Sequence, residues 1–205
     1  PFNMEDAAAA AIIAETYNIE KEVIVRTLKN YKGFAGRMDE VQTTPFRVVV
    51  DYAHTPDSLK AVYEALSAPR HGSSVMSHKL ICILGSAGGG RDLWKRAEFG
   101  KIAARYCDTL ILTNEDPYEE DPRSIIDAIE KGYQEEKNKK PDSQVHKALD
   151  RKEAIQKAIS LAQENDTVIM TGKGSEHFIH VAGGKKIPWS DRETALEILK
   201  VVGSR

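Results

Sequence analysis

The chain has 205 residues, 41% of them hydrophobic and 29% charged, which is enough for one sizeable core and part of a second. Lysine and arginine total 29 against 31 aspartates and glutamates, a formal net charge of -2, so no strong field favours nucleic acid or anionic lipid as a partner. The longest apolar runs, such as residues 7–14, fall far short of the ~20 residues that span a bilayer, which excludes a transmembrane helix.

The sequence opens Pro1-Phe2-Asn3, with no Met and no basic-then-apolar leader, as expected of a piece of a longer chain. Helical patterns cover residues 7–17 and 19–31, the second with Ile24, Leu28 and Tyr31 on one face. Lys32-Gly33-Phe34-Ala35-Gly36 then marks a hinge or boundary, and a β hairpin is predicted from residues 38–43 and 46–50. Beyond it, apolar runs at 46–50, 80–84, 109–113 and 167–170, with a weaker one at 145–149, suit strands buried on both faces of a parallel sheet.

Helices between these runs announce their starts. Thr55-Pro56 and Asp121-Pro122 each set a cap residue before a first-turn proline, and Asp150 with Glu153 and Ser190 with Glu193 have capping-box spacing. The alternation predicts an α/β, Rossmann-like, mostly parallel sheet flanked by helices, preceded by a short helical segment. Residues 178–188, with Gly183-Gly184 inside, predict a closing hairpin, while 67–78 and 137–143 read as solvated loops. Cys82 and Cys107 fit neither a CxxC nor a metal spacing and read as buried free thiols of a reducing cytosol.

Ligands of a parallel α/β sheet bind at the carboxyl ends of its strands. The loops there read Asp51-Tyr52-Ala53-His54-Thr55-Pro56, Gly85-Ser86-Ala87-Gly88-Gly89-Gly90-Arg91-Asp92, Asn114-Glu115-Asp116-Pro117-Tyr118 and Thr171-Gly172-Lys173-Gly174-Ser175-Glu176-His177. The glycine loop lets backbone amides approach an anion, but Arg91-Asp92 replaces the Lys-Ser/Thr of an ATPase phosphate loop, and GxGxxG is absent. Arg91 offers a fork for a carboxylate or phosphate, or else is a surface arginine on a tight turn. Asp51 and His54 suit a ribose hydroxyl or a water, or equally a turn and a half-buried histidine. Glu176 and His177 could form an acid/base pair, yet no serine or cysteine nucleophile has a spacing tied to them. The six histidines show no HxxxH metal spacing.

In this order and spacing, Gly36-Arg37-Met38, Asp51-Tyr52-Ala53-His54-Thr55-Pro56-Asp57, the stretch Gly88 to Arg96, Asp116-Pro117, Gly172-Lys173-Gly174 with Glu176, and Ser190-Asp191-Arg192 resemble the C-terminal domain of the Mur ligases. These are the ATP-dependent amino-acid-adding enzymes of peptidoglycan synthesis, and the resemblance is nearest to their tripeptide synthetases. Residues 1–32 resemble the end of the family's central ATPase domain and residues 33–205 its C-terminal domain.

The resemblance implies amide synthesis in the cytoplasm between a UDP-N-acetylmuramoyl peptide and an amino acid, through an acyl phosphate made from ATP. It implies ATP contacts for Asn3, Arg37, Asp51 and His54, and amino-acid contacts for Arg91, Asp116, Tyr118, Gly172 and Glu176. Magnesium ligands, the G-x-x-G-K-[ST] loop and the UDP-binding domain of the family have no counterpart in these residues, so the chain alone is expected to be inactive. Asp6 and Ser175 stand where the family usually has asparagine and histidine.

In the diaminopimelate-adding enzymes the third loop reads Asp-Asn-Pro-Arg, whose arginine clamps a distal carboxylate; here Glu115-Asp116-Pro117-Tyr118 is more acidic and makes lysine the candidate substrate. The competing expectation is a standalone, non-catalytic Rossmann-like module that binds a nucleotide or other anion.

Overall fold

The computed structural model describes the backbone of residues 2–68, 78–90 and 92–202, and side chains over the same stretches from Met4 onward. It divides into two compact units, Pro1–Gly33 and Phe34–Arg205.

The first unit is a helix pair, α1 (Phe2–Thr16) and α2 (Lys21–Asn30). The alanine run of α1 favours helix intrinsically. The helix stops where Asn18 turns left-handed at φ 57, with the amides of Asn18 and Ile19 donating back to the carbonyls of Glu15 and Ala14. Of the face predicted in α2, Ile24 is buried, whereas Leu28 and Tyr31 are exposed.

The second unit is built on a six-stranded sheet. Its hairpin, β1 (Asp39–Gln42) and β2 (Arg47–Val50), is the antiparallel edge. The parallel strands are β2, β3 (Leu80–Leu84), β4 (Thr109–Leu112), β5 (Gln144–Lys147) and β6 (Thr167–Met170), in the order β1-β2-β6-β3-β4-β5. Helices α3 (Pro56–Ser67), α4 (Trp94–Tyr106), α5 (Pro122–Glu135), α6 (Arg151–Leu161) and α7 (Asp191–Val202) flank it. A separate hairpin of β7 (Phe178–Val181) and β8 (Lys185–Pro188) precedes α7.

Because successive strand residues point to opposite faces, each run feeds two cores. Val49, Leu80, Cys82, Leu84, Leu110, Leu112 and Ile169 pack against α3, α4 and α5. Val48, Val50, Ile81, Ile83, Ile111, Val168 and Met170 pack against α6 and α7. Burying each such side chain stabilises by about 1.5–3 kcal/mol, which is why these strands read as continuous apolar runs.

The predicted caps form. Thr55 Oγ1 accepts from Ser58 N, and the Ser58 hydroxyl returns to Thr55 N, a complete capping box. Asp121, Asp150 and Ser190 accept from the amides of Arg123, Glu153 and Glu193. The start of α4 had no such signal, and its N-cap, Leu93, makes no side-chain bond.

Cys82 and Cys107, expected as free thiols, are instead joined in a disulfide, with Cα atoms 6.0 Å apart. Their separation of 25 residues carries no recognisable spacing. The topology joins them: Cys82 faces the α4 layer from β3, and Cys107 is the C-cap of α4, in the same core. Residues 69–77 of the predicted 67–78 loop lie outside the described residues. Among the described residues no helix is long and apolar enough to cross a membrane.

Candidate functional site

Strands β2, β6, β3 and β4 run parallel, so the loops that follow them leave one edge of the sheet. Each polar cluster singled out in the sequence occupies one of these loops.

In the first loop Asp51 is buried and spends both carboxylate oxygens on backbone amides, those of Met38 and Ala53, each at 2.7 Å. This pins the Gly36-Arg37-Met38 turn, in which Met38 adopts a left-handed φ of 46. Arg37 is thereby set over the ring of Tyr52, its guanidinium carbon 4.3 Å from the ring centroid. His54 tilts against the same ring at 4.5 Å and its Nδ1 lies 3.1 Å from Tyr52 O. Arg37, Asp51 and His54, expected together at a nucleotide, are therefore gathered around Tyr52. Arg37 is exposed and makes no ion pair among the described residues, which leaves its guanidinium open to an oxyanion such as phosphate.

The third and fourth loops meet at Lys173, whose side chain is wholly buried. Its Nζ donates to both oxygens of Asp116, at 2.8 and 2.9 Å, and to Glu176 Oε2 at 2.6 Å. Burial opposes the ammonium charge, but these carboxylates outweigh it and hold the Lys173 pKa above the usual lysine value. Asp116 also accepts from His180 N at 2.8 Å, so its charge is matched internally rather than turned outward. Glu176 remains partly exposed, and its second oxygen accepts from the Tyr52 hydroxyl at 3.1 Å. Burial, then the Glu176 carboxylate, raises the Tyr52 pKa, so the phenol stays a donor.

Tyr118 sits in the left-handed region at φ 50, its amide donating to His180 O and its ring stacked on His180 with centroids 5.3 Å apart. A bulky residue in that conformation persists only where its surroundings fix it. Here β7 does so.

The glycine loop differs from its expected use as an open anion cradle. Gly88 N donates to Asp116 O at 2.7 Å, and Gly90 N donates to Glu120 Oε1 at 2.5 Å. The other Glu120 oxygen pairs with the buried Arg96 at 2.9 Å. The Gly90 amide, first of all, and Arg96 hold Glu120 below the usual carboxylate range. An internal carboxylate thus takes one of the loop amides expected to be free to approach an anion. Arg91 lies outside the described residues, as does the side chain of Asn3.

Two features escaped the sequence reading. Glu115 is buried between the second and fourth loops: a Cβ on Gly172 would stand 2.1 Å from its Oε2, and one on Gly85 2.9 Å from its Cβ. Burial pushes the Glu115 carboxyl up to about 7, with Arg151 and Lys173 opposing the rise and Asp116 adding to it. Arg151 and Asp191 form a fully buried bidentate pair, with both bonds at 2.7 Å. Arg151 also donates to Asn114 O and Thr171 O, which clamps the third loop to the fourth. Arg192, beside this pair, reaches Asp39 at 3.1 Å. The sequence signal for Arg151 was hidden in a helix start, where Asp150 and Glu153 read as a capping pair.

Four carboxylates, Glu115, Asp116, Glu176 and Asp191, therefore surround two cations, Lys173 and Arg151. With Asp116 and Asp191 matched by Lys173 and Arg151, the partly exposed Glu176 is the carboxylate that suits an amine, while Arg37 one loop away suits an oxyanion. Among the described residues there is no group of three or more His, Cys, Asp or Glu side chains able to hold a metal ion.

A family model described as Mur ligase, glutamate ligase domain, matches residues 36–174. A UDP-N-acetylmuramoyl-L-alanyl-D-glutamate--2,6-diaminopimelate ligase from Thermosynechococcus vestitus is 36% identical over 97% of this chain and 38% of its own length. The protein of that name from Aquifex aeolicus is 38% identical over the same shares, 97% and 38%. A solved structure of such a ligase superposes with a TM-score of 0.70 at 29% identity, over 98% of this chain and 39% of that one. A folylpolyglutamate synthase from Thermotoga maritima shares the fold, with a TM-score of 0.58 at 19% identity over 84% of this chain and 36% of that one. The chain spans about two fifths of the length of the curated relatives it matches.

Proposed function

The chain belongs to the Mur ligases by their C-terminal domain, and from that premise we propose that it is the amino-acid-binding, ATP-closing part of a ligase of peptidoglycan synthesis. The ligase joins a UDP-N-acetylmuramoyl peptide to an amino acid in the cytoplasm, where ATP is at hand. Residues 1–32 are assigned to the end of the central ATPase domain and 33–205 to the C-terminal domain. A division of the structure after Gly33 and a family match beginning at residue 36 support the assignment.

The observation that carries this reading is the pairing, on one sheet edge, of an exposed guanidinium at Arg37 with an acid-rich cluster around Lys173. A carboxylate oxygen is a poor leaving group and phosphate a good one, so ATP first phosphorylates the terminal carboxylate of the peptide. The amine then attacks that carbonyl and phosphate departs. Magnesium, when bound with ATP, screens the phosphate charge, and its ligands belong outside this chain. The part of these residues is placement. Arg37 meets the phosphates, with Asp51 fixing its turn, His54 beside it and Asn3 reaching the nucleotide. Glu176, steadied by Lys173, receives the amino end of the incoming amino acid, with Gly172 beside it leaving room for the Glu115 carboxyl and Asp116 acting through Lys173. Arg91 holds its carboxylate.

The amino acid proposed is lysine, because Tyr118 and Asp116 offer no cation to a second carboxylate. Diaminopimelate is the second reading, favoured by the names of the relatives. The test is product formation by the intact ligase from ATP, UDP-N-acetylmuramoyl-L-alanyl-D-glutamate and a panel of lysine, ornithine, diaminopimelate and alanine, followed by mass spectrometry and phosphate release. A lysine adduct with stoichiometric phosphate is expected; no adduct from any acceptor would refute the ligase reading.

A further inference from the structure

The turn before β1 and the first loop both meet the fourth loop at close range. A Cβ on Gly36 would stand 2.2 Å from Ser175 N, and one on Gly174 2.6 Å from Tyr52 Cβ and 2.9 Å from Gly36 O. Tyr52 lies in that junction and uses both of its chemical faces. Its ring carries the Arg37 guanidinium at 4.3 Å, and its hydroxyl donates to Glu176 at 3.1 Å. The other Glu176 oxygen is held by Lys173 at 2.6 Å, and Lys173 holds Asp116.

We propose that Tyr52 is a positioning residue that couples the two halves of the site, orienting the Glu176 carboxylate for the amine according to whether Arg37 is engaged by the nucleotide phosphates. The inference rests on the ligase reading above for what binds at each end.

The physical basis is conformational freedom. An exposed arginine has many rotamers, and a half-exposed glutamate such as Glu176 loses rotamer freedom when it is fixed. A phosphate that anchors Arg37 holds the guanidinium over the ring and so holds the phenol in place. The hydroxyl then keeps one Glu176 oxygen occupied and the carboxylate plane fixed, and the amine meets a group already ordered. Ordering done by the first ligand is not repeated by the second, which makes the two bind cooperatively. Coupling of this kind changes affinity by about fivefold or more, and equally in both directions.

Tyr52→Phe deletes the hydroxyl and keeps the ring under Arg37, so it separates the link from packing. In the intact ligase, the Kd for the amino acid is expected to fall about fivefold when a non-hydrolysable ATP analogue is bound. In Tyr52→Phe that dependence disappears, and the Kd stays at its high value. A variant that retains the wild-type dependence on the analogue overturns the proposal.

The link is also readable without turnover. In the intact ligase, the side-chain carboxyl carbon of Glu176 is expected to shift in its NMR spectrum when ADP is bound to wild type, and to stay put in Tyr52→Phe. A shift in wild type from a ligase that makes no adduct removes the ligase reading and keeps the link. A wild-type signal indifferent to ADP overturns the link.

Discussion

Lys173 Nζ lies 2.8 and 2.9 Å from the two carboxylate oxygens of Asp116, inside a site where the lysine side chain has no exposure at all. The pair joins the third loop to the fourth across 57 residues of sequence. Removing one partner of a buried pair strands the other charge, at a cost of about 3–5 kcal/mol. Lys173→Met is therefore expected to lower the unfolding free energy by that amount in urea titrations. Adding Asp116→Asn to it should recover part of the loss, because the stranded charge is then gone.

Glu115 gives the stability a defined pH dependence. Its folded carboxyl titrates at about 7, above the ordinary 4.5, so between those values the folded chain keeps a proton that the unfolded chain has released. Stability contributed by this residue therefore falls as pH rises from about 4.5 to about 7 and is level above that, a loss of about 3 kcal/mol. Glu115→Gln removes the slope. Urea midpoints of wild type and variant at about pH 5 and about pH 8 check it: the variant should gain on wild type only at the higher pH.

Gly100 and Gly132 let α4 and α5 pack with their backbones in contact. A Cβ on Gly132 would stand 2.0 Å from Ala97 O, and one on Gly100 1.9 Å from Ile129 O. Gly→Ala in a helix interior ordinarily stabilises by about 1 kcal/mol. Forcing a methyl against backbone costs about 1–3 kcal/mol or more, because no side chain can swing away. The expected sign for Gly132→Ala is thus a net destabilisation, measured by thermal or urea unfolding, where an unpacked helix would show a gain.

On the proposed reading, Tyr118 stands where an arginine would reach a distal carboxylate of the amino acid. Tyr118→Arg is expected to shift the amino-acid preference of the ligase toward diaminopimelate, by roughly tenfold or more if one charge-assisted pair is gained. Competition between lysine and diaminopimelate in one reaction, with products resolved by mass, reads the ratio directly. An unchanged ratio would remove Tyr118 from the specificity argument.

Much of this molecule is legible in its sequence, for local reasons. Val48, Val49 and Val50 announce a strand because both of their faces are buried, and Thr55, Asp121, Asp150 and Ser190 announce helices because a cap acts within three residues. What stayed hidden depends on distance along the chain. Lys173 looks like a loop lysine until Asp116 is beside it. Arg151 looks like a surface residue at a helix start until Asp191, 40 residues on, closes over it. Cys82 and Cys107 look unrelated until β3 and the end of α4 meet. Glu120, assigned nothing, holds the amide of Gly90 from 30 residues away.

The place of β6 in the sheet governs when such a molecule can be completed. Thr167–Met170 pairs with β2 on one side and β3 on the other, while β2 and β3 do not pair with each other. As the ribosome extends the chain, β1 with β2 and β3 with β4 can pair early, but no strand pairing joins the two groups until residue 170 is out. Vectorial synthesis therefore leaves an edge of β2 and an edge of β3 without their β6 partner until β6 emerges. The final strand inserts between them, and its arrival brings Gly172, Lys173 and Glu176 to the first and third loops in the same event.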